Sequence, residues 1–114
     1  MKRVDCLTNS LADVELLQRC KRAVRDAVGS ADVILYGSRA RGDADKDSDY
    51  DILVIVNGSV DMALEEKILA NVYPLELETG QMLTLIVYGR QQWESRLYRA
   101  MPFHKNVERD GVLL

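Results

Sequence analysis

Two apolar runs, Val33-Ile34-Leu35-Tyr36 and Ile52-Leu53-Val54-Ile55-Val56, are separated by a stretch that is polar almost throughout. The residues are β-branched, aliphatic or aromatic, which suits strands rather than helix. The second run shows little polar alternation, so both of its faces should be covered. That condition leaves a small α/β fold with helices packed on a sheet as the expected architecture.

The flanking segments supply the helices. Asn9-Ser10 can cap a first helix running to about Val28, and Gly29 can stop it. Leu11, Val14, Leu17, Val24 and Val28 recur at helical spacing, with Cys20 and Ala27 on the same side. The strands are expected at Ala31–Tyr36 and Tyr50–Val56, with a possible helical turn around Ser38–Gly42 between them. Asp61 or Ser59 can open the next helix, whose apolar stripe is Met62, Leu64, Ile68, Leu69 and Val72. Pro74 should break or re-aim that helix after Tyr73, and Leu75–Thr79 reads as either extended or helical. A third strand follows at Met82–Tyr88, then a helix over Gln91–Arg99 and a last helical turn from Pro102 to Glu108. The expected order is α-β-β-α-β-α-α, and 114 residues suffice for a single domain, 1–114.

Apolar residues make up 47 % of the chain, which fits a packed core. The formal net charge of −3 argues against broad nucleic-acid binding, which needs many cationic phosphate contacts. A local basic patch from Arg39, Arg41 and Lys46 remains compatible with it. Cys6 and Cys20 form no CxxC pair or Cys/His cluster, so neither a zinc site nor a disulfide scaffold is expected. Both read as reduced thiols, which points to the cytoplasm. The longest apolar run is far too short for a membrane span, and Met1-Lys2-Arg3-Val4-Asp5 lacks a signal-peptide core.

The chemistry concentrates between the two runs, in Gly37-Ser38-Arg39-Ala40-Arg41-Gly42 and Asp49-Tyr50-Asp51. A Gly-Ser turn can offer backbone N–H groups and a hydroxyl to an anion. Asp49 and Asp51, two apart at the head of a strand, share one face. Like charges placed so close repel, and a cation would neutralise them; carboxylate oxygens suit Mg²⁺, with substrate phosphates completing its shell. Arg39 and Arg41 are either solvated charges or phosphate contacts. Asp43, Asp45 and Asp47 fit a solvated turn. They imitate the start of an EF-hand, but Ser48 stands at the glycine position and Val54 at the place of the bidentate Glu. Arg41-Gly42-Asp43 spells an integrin-binding tripeptide, which is treated as chance. His104 reads as structural or surface, and Trp93 as core.

The run Gly37-Ser38-x(10)-Asp49-x-Asp51 resembles the signature of the DNA polymerase beta-like nucleotidyltransferase superfamily. The fuller string, through Ser48-Asp49-Tyr50-Asp51-Ile52-Leu53-Val54, looks like the minimal nucleotidyltransferase (MNT) branch, as does the end from Pro102 to Leu113. The resemblance implies a small mixed-sheet, palm-like fold. Gly37 and Ser38 would hold the β,γ-phosphates of a nucleotide such as ATP, and Asp49 and Asp51 would bind Mg²⁺. The reaction would move a nucleoside monophosphate from NTP to a hydroxyl. Minimal members are often antitoxins paired with a HEPN-domain ribonuclease, and some add AMP to a tyrosine of the toxin. Active members usually carry a third carboxylate on the later strand; aligning Leu85-Ile86-Val87-Tyr88 puts Thr84 there. Thr supplies neither charge nor a base at neutral pH, and Glu76 and Glu78 are the nearby candidates to replace it. With no acceptor-binding domain expected, the site would be completed by a partner protein or a second copy. The rival readings are a catalytically silent binding module and a transferase for small molecules.

Overall fold

A computed structural model describes residues 1–4, 11–45 and 47–114. The proposed Asn9-Ser10 cap, Cys6 and Lys46 fall outside the described residues, as does the side chain of Leu11. The elements are β1 (Lys2–Arg3), α1 (Leu11–Val28), β2 (Ala31–Tyr36), α2 (Ser38–Arg41), β3 (Tyr50–Val56), α3 (Met62–Thr79), β4 (Leu83–Gly89), α4 (Arg90–Trp93), α5 (Arg96–Arg99), α6 (Pro102–Asp110) and β5 (Val112–Leu113). They form one mixed five-stranded sheet in the order β1-β5-β2-β3-β4. The expected α/β fold with helices on a mixed sheet is the one observed.

Strand alternation divides the core into two layers. Val33 and Leu35 of β2, with Ile52 and Val54 of β3, face α1 and α3 and pack on Leu17, Cys20, Val24, Ile68 and Val72. Ile34, Leu53 and Ile55 point the other way, onto Trp93 and Val107 from α4 and α6. Both faces of β3 are therefore buried, as its unbroken apolar run requires.

The sheet places the polar segment. β2 and β3 are antiparallel, pairing Ala31 with Val56 and Tyr36 with Asp51, so the turn after β2 lies beside the start of β3. β4 runs parallel to β3, with Thr84 opposite Asp51. Tyr36, Asp51 and Thr84 thus form one row across three strands.

Several expectations need correction. The helix does not break at Pro74; α3 continues to Thr79, where Gly80 caps it in the left-handed conformation at φ 72°. Pro74 and Ala70, whose carbonyl loses its usual donor, are both exposed, so water can satisfy that oxygen. An interior proline costs about 3 kcal/mol. Burying Val72 and Leu75 on the inner face returns about 1.5–3 kcal/mol each, which outweighs it. Asp61, not Ser59, caps α3, accepting from the Leu64 N–H at 2.8 Å. The expected stripe of α3 is also split: Ile68 and Val72 are buried, whereas Met62 and Leu69 are exposed. The expected helix over Gln91–Arg99 is two short helices, because Ser95 interrupts it and caps α5 through the Tyr98 N–H. The apolar end enters the sheet as β5, parallel to β1. No described helix is long and apolar enough to cross a membrane.

Cys20 sits fully inside the α1 layer, and burial, reinforced by Glu76, pushes its thiol pKa up to about 12. Thiolate is the reactive form. At pH 8 Cys20 should therefore stay unlabelled by iodoacetamide in the native protein and label fully in denaturant, as peptide mass spectrometry would record.

Candidate active site

Gly37 ends β2 and begins the turn. Its φ of 77° with ψ of −159° is a conformation that L side chains avoid. There is a second reason for glycine. A Cβ at this position would lie 2.4 Å from Oδ2 of Asp51, inside any tolerable contact. The backbone of the Gly-Ser turn and the Asp51 carboxylate are therefore in direct apposition. Ser38 follows as the first residue of α2, and its carbonyl accepts from the N–H groups of Gly42 and Asp43 at 3.0 and 3.1 Å, closing the turn.

Asp51 is half-buried and Asp49 exposed. The Asp51 carboxyl is held above its ordinary pKa, first by desolvation and then by the charge of Asp49; Arg41 opposes both. The two carboxylates and the Arg41 guanidinium thus share one electrostatic neighbourhood. Arg41 also makes an exposed ion pair with Asp43, its Nε donating at 3.3 Å.

Arg39 is engaged differently. Its Nε and one terminal nitrogen donate to the Ser48 carbonyl at 3.1 and 2.6 Å, and its guanidinium lies 4.1 Å from the centre of the Tyr50 ring. Tyr50 falls between the two aspartates, so it points to the opposite face, where its hydroxyl donates to Asp13 of α1. Burial and that bond raise its pKa to about 12, so it is a neutral donor at any ordinary pH. A continuous path therefore runs from α1 through Tyr50 and Arg39 to the residue just before Asp49. Nothing local in the sequence marks Asp13, which is 37 residues from Tyr50.

The row across the sheet gives Asp51 two further neighbours. The Tyr36 hydroxyl is raised to about 12 by burial, with the Asp51 and Tyr88 charges adding to it. Its ring meets Phe103 of α6 edge-on at 5.2 Å. On the other side stands exposed Thr84, opposite Asp51 on β4. Glu78 is bound to Arg19 at 2.5 Å, and Glu76 accepts from the Leu83 N–H at 3.4 Å. Among the described residues no three His, Cys, Asp or Glu side chains gather to hold a metal. The donor set at the turn is two carboxylates, which suits a hard cation that keeps waters and takes phosphate oxygens. His104 and Trp93 are buried and stacked, 4.2 Å between ring centres.

Residues 17–109 match the model of the nucleotidyltransferase domain family. The chain belongs to that family. It is 33 % identical over 82 residues to a Methanocaldococcus jannaschii protein named "Putative protein adenylyltransferase MJ0604", covering 72 % of this chain and 75 % of that one. A second protein of the same organism, MJ0141, bears the same name; it is 36 % identical over 58 residues, 51 % of this chain and 59 % of its own. Nucleotidyltransferase domains use divalent metal, in keeping with paired carboxylates at this turn.

Two outcomes follow for this nucleotidyltransferase domain. Gly37→Ala adds both positive-φ strain and the clash with Asp51, so it should destabilise by about 1–3 kcal/mol in chemical denaturation. Asp51→Asn should do the reverse. Because the folded state holds the Asp51 proton more tightly than the unfolded state, ionising it costs stability as pH rises through the raised pKa. The metal-free Asn variant should melt higher than wild type at pH 7, and the gain should vanish below the ordinary carboxylate pKa.

Proposed function

We propose that this chain transfers a nucleoside monophosphate, AMP in the first instance, from Mg-NTP to a hydroxyl on a partner protein. The observation that carries the reading is the Asp49–Asp51 pair backed by a glycine that admits the Asp51 carboxylate. The names borne by the archaeal relatives favour a protein acceptor and adenylyl transfer.

In this reading Gly37 and Ser38 receive the β,γ-phosphates, and Arg41 adds positive charge where the triphosphate lies. Arg39 keeps the segment before Asp49 in place through Ser48 and Tyr50. Asp49 and Asp51 would hold Mg²⁺, which when bound neutralises phosphate charge and polarises the α-phosphoryl group. The acceptor oxygen forms a bond to the α-phosphorus, the bond to pyrophosphate breaks, and the hydroxyl proton passes to water. The resemblance to minimal nucleotidyltransferases supports a HEPN-type toxin as that acceptor and an antitoxin role for this chain.

A second reading is favoured by one observation. Thr84 stands opposite Asp51 where a third acid would sit, which fits a module that neutralises its partner by contact. Calorimetric titration of ATP with Mg²⁺, followed by mass analysis of a co-expressed partner, separates the two. Transfer predicts Mg-dependent binding, a one-AMP mass shift, and loss of both in Asp49→Asn/Asp51→Asn. Suppression of the partner by that variant, without a shift, overturns it. Thr84→Asp should raise the transfer rate, since it restores an acid beside Asp51.

A further inference from the structure

The two edges of the sheet are built differently. β1 is two residues long and basic, a short charged edge of the kind that resists further pairing. β4 is the opposite edge, seven residues long, and reads Leu83-Thr84-Leu85-Ile86-Val87-Tyr88-Gly89 without a charge or proline. Its outer side pairs with no described strand. Such an edge is a template for another strand and is normally covered.

Its flank is equally open. Leu69 and Glu65 of α3 line a groove with Leu85, Ile86, Val87 and Tyr88. Met62, Leu69 and Tyr73 share that side of α3 by spacing and are 74, 48 and 56 % exposed. The charges interleaved with them, Glu65, Glu66 and Glu76, are all acidic. Lys67 falls with Asn71 and Glu78 on the side that meets α1, where Asn71 donates to the Ala23 carbonyl.

We propose that the β4 edge and the Met62–Leu69–Tyr73 stripe of α3 form the docking surface for a partner protein that presents an apolar strand flanked by lysine or arginine. On the α3 flank, charge disfavours a second copy. Antiparallel pairing of two β4 strands sets the Val87–Tyr88 end, with Glu65, against the Leu83 end, with Glu76. The β1 edge, though basic, is too short to match seven residues. A strand added to β4 passes exposed Thr84, next to Asp51. Docking there brings an acceptor hydroxyl to the carboxylate pair, a consequence that rests on the transferase reading, whereas the docking itself does not.

The test uses the whole chain and a fluorescein-labelled peptide of alternating valine and tyrosine with lysines at both ends. Its twin carries glutamates at the ends. Anisotropy should show binding of the basic peptide over the acidic one, and hydrogen exchange should slow across residues 83–89. Leu69→Lys and Glu65→Lys should each weaken binding by about tenfold, a change of about 1.4 kcal/mol. Leu97→Lys, on exposed α5, should not. Thermal melts confirm that each variant is folded. Failure of the basic peptide to bind wild type, equal binding of the acidic twin, or equal weakening by Leu97→Lys overturns the proposal. So does sedimentation of the free protein as a dimer that Leu69→Lys dissociates, which gives the surface to a second copy. Docking of the peptide to wild type with Mg-ATP, without AMP transfer to its tyrosine, counts against the transferase reading and leaves the docking surface standing.

Discussion

The approach of Gly37 to the Asp51 carboxylate is the contact around which the rest is arranged. It exists because β2 and β3 are antiparallel and in a register that pairs Tyr36 with Asp51. A one-residue slip would turn every apolar side chain of β3 to the wrong layer. The core that buries both faces of β3 therefore fixes the position of the carboxylate as firmly as it fixes the strand. A half-buried acid beside a second acid is unfavourable in isolation. The packing of Leu53, Val54 and their neighbours holds it there.

Arg39, Tyr50 and Asp13 show how that position is stiffened. Tyr50 is part of the α1 layer, yet its two sequence neighbours in the motif face the site. The alternation of one strand thus couples a buried ring to both acids. Arg39 closes the loop from the other side by holding the Ser48 carbonyl and covering the ring. In sequence it reads as either a solvated charge or a phosphate contact; in the fold its guanidinium also holds the Ser48 carbonyl and covers the Tyr50 ring.

What could be read from sequence was whatever local patterning encodes. The two buried strands, the turn at Gly37-Ser38 and the shared position of Asp49 and Asp51 all follow from spacing. Thr84 is singled out by the resemblance, through alignment on Leu85-Ile86-Val87-Tyr88, and it stands opposite Asp51 in the sheet. What could not be read depends on distant partners. Pro74 is tolerated only because its ring and the Ala70 carbonyl face water, which no propensity reports. Asp13 gains meaning only from Tyr50, and Val112–Leu113 become a strand only because Ile34 and Leu35 are there to pair with them. The exposed positions of Met62 and Leu69 were hidden for the same reason. Apolar residues on both sides of α3 blur its periodicity, and one of the two sides is left largely exposed beside β4.

That uncovered side has a consequence for quantity as well as recognition. A long uncharged strand edge is open to pairing with extended chain of other proteins, and that exposure matters more as concentration rises. If the proposed partner covers β4, chain in excess of that partner is the species left open to such pairing. The amount of free protein that stays dissolved would then depend on the supply of its cover.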